Sequence, residues 1–282
     1  MRRHELSGAE WEVLSRLLPR SGTRRPRQDD RVVLNGIVWK LRTGSAWRDV
    51  PERYGSWQSL YTRFRRWALD GTFTRMLRAI QAEKDAAGDI DWLVSVDSTI
   101  ARAHQHAAGG RKGGSNEGDK AYDHALGRSR GGLTTKLHLA CDGRGRPLGL
   151  VVTAGNVNDC TRFEQVMADI RVPRIGPGRP RTRPDHVLGD KGYSSRAIRA
   201  HLRRRGISHT IPERADQAAG RRRRGHRGGR PPGFDQQMYK HRNTVERCFN
   251  RLKQYRGIAT RYDKTRESYQ AAVTLASILL WI

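Results

Sequence analysis

Tyr239, Arg242, Glu246 and Lys253 follow one another at spacings of three, four and seven residues. An α-helix turns about 100° per residue, so on one helix the four fall within an arc of roughly 60°. Met238, Val245, Cys248, Phe249 and Leu252 take the adjoining arc. The spacing predicts a single helix that buries its apolar face and aims a Tyr-Arg-Glu-Lys stripe past the edge of that burial. A carboxylate flanked by two cations and a phenol suits the handling of phosphate.

Two upstream acids stand in a matching setting. Trp92-Leu93-Val94-Ser95-Val96-Asp97 reads as a buried strand ending in an acid, and His186-Val187-Leu188-Gly189-Asp190 as another. Residues 133–140, 148–153 and 207–211 read as further strands. Residues 159–170, 194–205 and 266–282 read as helices. Asp97, Asp190 and Glu246 would then come together from separate elements. Three such carboxylates need a partner to offset their repulsion. Mg²⁺ suits them, because it takes few protein carboxylates and fills its other positions with water and phosphate oxygens. Two ions roughly 3.5–4 Å apart can activate a nucleophile and stabilise a leaving oxygen in attack on a phosphodiester. His104 and His106 could also ligate a metal, but they adjoin a Gly-rich stretch. His138 lies within a strand and reads as packing.

The first 90 residues have a different period. Ser7 can cap a helix with Glu10 three residues on. Asp29 and Asp30 open a second helix, which Gly44 stops. Gly55 and Ser56 lead into Trp57, Leu60, Tyr61, Phe64 and Trp67 at helical spacing. Helix, short helix, glycine turn and an Arg-rich helix make a helix-turn-helix layout. Arg63 and Arg66 on its last helix are candidate DNA contacts. The domain reading is a helical DNA-binding unit over 1–90 and an α/β unit over 91–282. Mobile basic segments are expected near 107–132 and 214–233, which hold too little apolar surface to order alone.

Charge narrows the partners. Lys and Arg number 55 against 28 Asp and Glu, a net charge of +27. A compact body with that excess repels itself unless a polyanion neutralises it, and nucleic acid is the first choice. No membrane association is expected, since the longest apolar run, 271–282, is about half of what a span needs. Cys141, Cys160 and Cys248 form no C-x-x-C pair and fit reduced thiols in a cytoplasm. No apolar signal core follows Met1. No phosphate-cradling G-x-x-x-x-G-K-[ST] loop occurs, so no ATP step is implied.

The four-residue stripe resembles the Y-x2-R-x3-E-x6-K signature of bacterial insertion-sequence transposases of the DDE class. Val96-Asp97-Ser98-Thr99 is similar to that family's first catalytic aspartate, Gly189-Asp190-Lys191-Gly192-Tyr193 to its second, and Glu246 to its glutamate. The run from Arg128 to Lys136 resembles the lead into its second strand. Leu34-Asn35-Gly36 and Trp47-Arg48-Asp49 resemble its DNA-binding module. The resemblance covers nearly the whole chain. It implies a ribonuclease-H-like mixed sheet with flanking helices behind an all-α helix-turn-helix domain. It also implies Mg²⁺ dependence, with Mn²⁺ able to substitute. The expected partner is double-stranded DNA, element ends and target, engaged by a homodimer or larger assembly at the bacterial nucleoid. A nick at the element's end would free a 3′-hydroxyl that attacks target DNA. Tyr239, Arg242 and Lys253 would grip phosphates near the cut. The competing readings are a catalytically silent DNA-binding regulator and a stand-alone metal-dependent nuclease.

Overall fold

The computed structural model describes residues 3–19, 28–109, 124–129 and 131–282. Among these, seven strands join in one mixed sheet: β1 (Leu93–Ala103), β2 (Gly127–Ser129), β3 (Gly132–Cys141), β4 (Pro147–Ala154), β5 (His186–Gly189), β6 (Ser208–Thr210) and β7 (Thr260–Arg261). β3 runs antiparallel to both β1 and β4, while β5 is parallel to β1 and β6 to β5. Leaving aside the short β2 and β7, the order across the sheet is β4-β3-β1-β5-β6. In chain order the third, second, first, fourth and fifth of these five strands thus lie side by side, with the second reversed. This is the ribonuclease-H-like order, and it agrees with the expected fold class.

Four helices come first: α1 (Gly8–Leu17), α2 (Asp30–Thr43), α3 (Trp57–Leu69) and α4 (Thr72–Ala86). The predicted capping box forms. Ser7 Oγ accepts from Glu10 N at 3.1 Å, and Ser7 N donates to Glu10 Oε2 at 2.6 Å. α2 ends where Gly44 turns left-handed at φ 71°. Gly36 lets α2 approach its neighbours closely. A Cβ there would sit 2.8 Å from Leu60 Cδ1 and 2.9 Å from Tyr54 Cβ, inside van der Waals contact.

The remaining helices are α5 (Gln105–Ala108), α6 (Phe163–Asp169), α7 (Arg196–Arg204), α8 (Ala215–Arg223), α9 (Gln236–Lys240), α10 (Asn243–Lys253), α11 (Arg256–Ala259) and α12 (Arg266–Trp281). α12 packs against α3, α4 and β4, and its Trp281 Nε1 donates to Pro147 O at 2.8 Å. The last helix therefore ties the first four to the sheet, and a single apolar core runs through both halves of the chain. No described helix is long and apolar enough to cross a membrane.

Three expectations need correction. The strand at Asp97 does not stop there. β5 ends at Gly189, opposite Val96, but β3 goes on pairing with β1 as far as Arg102, and this holds the strand extended. The stripe does not lie on a single helix. Arg242 N, Thr244 N and Val245 N donate to carbonyls three residues back, at 3.0–3.2 Å. That tighter 3₁₀-type turn separates α9, with Tyr239, from α10, with Glu246 and Lys253. The segment near 214–233 is not without structure, since it contains α8. Polar bonds anchor it: Arg221 Nη2 lies 3.0 Å from Glu213 Oε2, and Ser194 Oγ donates to Gln217 Oε1 at 2.6 Å. Most of the other expected mobile segment, 110–123, lies outside the described residues.

Candidate active site

The register of two strands places the aspartates. Val96 pairs with Gly189 in the parallel β1–β5 ladder, so the next residues on the two chains, Asp97 and Asp190, are neighbours. Beyond that pair β5 has ended and the β5 side of β1 lies open until β7 pairs with Arg102. α10 packs there. It buries Val245, Cys248, Phe249 and Leu252 against the sheet, each on the order of 1–3 kcal/mol of apolar transfer. Its polar side turns to the exposed β1 edge. Lys253 Nζ donates to Thr99 Oγ1 at 2.7 Å. Arg242, at the N-terminal cap of α10, sits between two acids: its Nη1 donates to Glu246 Oε1 at 2.6 Å, and its Nη2 donates to Asp97 Oδ2.

The electrostatics follow from this crowding. Burial lifts the Asp97 carboxyl to about 6, and Asp190 and Asp159 add to the rise. The Ser98 N–H and Arg242 pull the other way. Burial works against the Arg242 charge, yet Asp97, Glu246 and Asp190 outweigh it and hold the guanidinium more firmly protonated. Burial lowers the Lys253 ammonium. Burial raises the Tyr239 phenol, and the fields of Asp190, Asp97 and Glu246 raise it further. Tyr239 therefore stays within electrostatic reach of the same three carboxylates despite the helix break. Asp190 also caps its own turn, accepting from Gly192 N at 2.8 Å.

The two arginines proposed for DNA contact differ. Arg66 is exposed on the outer face of α3. Arg63 turns inward, its Nη1 2.6 Å from Asp30 Oδ1 and its guanidinium over the Trp67 ring, which ties α3 to the start of α2. A phosphate contact by Arg63 would therefore compete with the carboxylate at the start of α2.

Sequence reasoning missed Asp159. Ser98 Oγ donates to its Oδ1 at 2.6 Å, and Lys136 Nζ lies 3.0 Å from the same oxygen. Ser98 and His138 are cross-strand partners, and Lys136 lies two residues from His138 on the same face of β3. Asp159 thus fastens the strand residue next to Asp97 to β3. Lys136 and His138, two apart and so on one face of the strand, were the available signal. Tyr193 was quoted in a motif but given no role. It is buried, its hydroxyl has no partner among the described residues, and the neighbouring Asp97, Asp159 and Asp190 add to the rise that burial causes in its pKa.

Among the described residues, no three His, Cys, Asp or Glu side chains stand together at metal-holding spacing. His104 instead caps α5, accepting from His106 N at 3.2 Å. The three acids nonetheless suit a hard divalent cation. They offer only carboxylate oxygens, and they already hold a cation between two of them, the Arg242 guanidinium.

Comparison with known proteins shows the family. Residues 89–281 match the family model described as "Transposase DDE domain", and residues 6–77 match "Putative transposase of IS4/5 family". A Brucella ovis protein named "Putative transposase for insertion sequence element IS6501" is 30% identical over 154 residues, covering 53% of this chain and 99% of that one. A Burkholderia cepacia protein named "Putative transposase for insertion sequence element IS402" is 31% identical over 146 residues, 52% of this chain and 62% of that one. An uncharacterised Sinorhizobium fredii protein, y4sN, is 41% identical over 105 residues, 36% of this chain and 80% of that one. Among solved structures, a Mos1 transposase paired-end complex aligns over 94% of this chain and 80% of that one, at 10% identity and a TM-score of 0.27. The DDE-domain match spans most of the chain and contains Asp97, Asp190 and Glu246, so the chain belongs to the DDE-domain transposases, enzymes that cleave DNA.

Proposed function

We propose that this transposase binds the terminal inverted repeats of an insertion sequence, cleaves there, and joins the freed ends to target DNA. One observation carries the proposal: the β1–β5 register sets Asp97 beside Asp190, and Arg242 links Asp97 to Glu246. The family depends on a divalent metal. Asp97, Asp190 and Glu246 are the residues that would hold it, as two Mg²⁺ ions with Mn²⁺ able to substitute. When bound, such ions activate the attacking oxygen and stabilise the leaving one.

The chain's other residues handle the DNA. Arg242 is the cation that must leave the carboxylates, and a phosphate is the natural partner for the planar fork it then presents. Lys253, half-buried at the end of α10 against Thr99 of β1, brings a point charge to the same edge. Tyr239, within electrostatic reach of the carboxylates, can orient a phosphate oxygen through its hydroxyl. Arg66 on α3 supports a backbone contact at the element's end. Hydrolysis of one phosphodiester leaves a 3′-hydroxyl. That hydroxyl attacks a target phosphorus, one P–O bond forming as another breaks. Joining two ends calls for at least two copies of the chain, acting on chromosomal DNA in a bacterial cytoplasm.

The test is Asp97→Asn on a DNA substrate carrying the element's own ends. Cleavage with Mg²⁺ should fall by at least about a thousandfold while binding to the ends stays. Wild-type cleavage that survives the substitution would defeat the proposal. A wild-type chain that binds ends but never cuts would point to a regulator, and one that cuts but never joins to a nuclease.

A further inference from the structure

Away from the carboxylates, a cavity of about 280 Å³ opens between the start of α3, the end of α2 and the segment after β7. Its walls include Trp47, Trp57, Tyr61, Lys40, Asp263 and Lys264. Lys40 and Asp263 are deeply buried, their side chains only 6% and 7% exposed. Their charged atoms stand 3.7 Å apart, beyond hydrogen-bond distance. Asp263 Oδ2 is closed off from solvent and has no hydrogen-bond partner among the described residues. A buried carboxylate oxygen left unpaired costs free energy, so a small turn of the Asp263 side chain that lets it meet a ligand's N–H in the cavity is favoured.

The walls restrict the occupant. A cation is disfavoured, because Lys40 already holds its ammonium 5.2 Å from the Trp47 ring centre and the chain carries a net +27. An anion is disfavoured by Asp263. What remains is a neutral planar group that stacks on aromatic rings and offers a donor beside an acceptor. Those are the properties of a nucleobase edge. We propose that this cavity receives one unpaired guanine of the bound DNA, read on its Watson–Crick edge. Guanine N1–H and N2–H donate to the Asp263 carboxylate, and O6 accepts from Lys40. Adenine and cytosine offer the carboxylate only an amino group, and thymine would set a second carbonyl against it. Trp57 and Tyr61 supply the stacking surface. Arg48, 5.5 Å over the Trp57 ring, and Lys264 stand by to take the flanking phosphates. The inference rests on α3 being a DNA-contacting helix.

The test uses oligothymidylates of about 15 nucleotides, one all thymine and three with a central guanine, adenine or cytosine, followed by quenching of tryptophan fluorescence. The guanine strand should bind about tenfold more tightly than the all-thymine strand. Asp263→Asn and, separately, Trp57→Ala should each cut that preference to under about threefold. Trp57 lies outside the apolar core, so its variant tests the site even if the loss of Asp263 disturbs folding. Equal affinity for all four strands, with duplex binding intact, would overturn the guanine site alone. A preference that persists in Trp57→Ala would do the same. Failure to bind either duplex or single strands would overturn the DNA-contacting role of α3 along with it.

Discussion

Replacing Arg242 with Gln removes the cation that the free chain keeps between the Asp97 and Glu246 carboxylates. Two charge-assisted hydrogen bonds are lost, and their weights differ. Glu246 is 52% exposed, so solvent screens that arm and it contributes little. Arg242 and Asp97 are 17% and 18% exposed, so their bond is largely shielded. A hydrogen bond to a charged group in such a setting is worth about 1.5–3 kcal/mol. A metal entering the wild-type site must break it first. With 1.4 kcal/mol per factor of ten, the variant should bind Mn²⁺ about ten- to a hundredfold more tightly. Titration calorimetry of both proteins without DNA reads this directly. The same variant should cleave DNA more slowly, having lost its phosphate fork. Unchanged or weaker Mn²⁺ binding in Arg242→Gln would refute the idea that the guanidinium and the metal compete for these carboxylates.

Three further outcomes follow from the structure. Arg66→Ala should weaken end binding and lower the slope of log affinity against log salt by about one unit. Arg63→Ala should leave that slope alone and instead lower the urea midpoint, because its partner is Asp30; binding titrations across salt concentrations, with denaturation curves, separate the two. Burial pushes the His138 imidazole down to about 4 from its ordinary 6.5. The unfolded chain therefore takes up a proton that the folded chain refuses between those values, so this group removes stability as pH falls through that window. The loss is about 2 kcal/mol between pH 7.5 and pH 5, and His138→Gln should flatten that part of the stability profile in urea titrations.

The sequence made the two acid-bearing strands visible because each is a short apolar run, and the sheet's register then brought Asp97 and Asp190 together. Which residue ends a strand was less visible. The continuation of β1 past Asp97 depends on β3 pairing along its other side, a partner distant in sequence. The helix break at Arg242 left no Gly or Pro to mark it. Periodicity alone could not separate one helix from two short ones joined by a tighter turn. α8 was hidden for the opposite reason: its composition offers no apolar face, and its order comes from Arg221 on Glu213 and Gln217 on Ser194. Arg63 looked like a surface contact because a helical wheel shows which way a side chain leaves its helix and not which neighbour stands there. Asp159 and the Lys40–Asp263 pair are products of tertiary contact between segments far apart in the chain.

The central claim is that Asp97, Asp190 and Glu246 act on one metal site. Anomalous diffraction at the manganese edge, from crystals of the chain with its element-end DNA and Mn²⁺, tests it most directly. Peaks lying among these three carboxylates, with the Arg242 side chain withdrawn from Asp97, are the predicted result. Manganese bound elsewhere, with Arg242 still bridging Asp97 and Glu246 in the DNA complex, would contradict it.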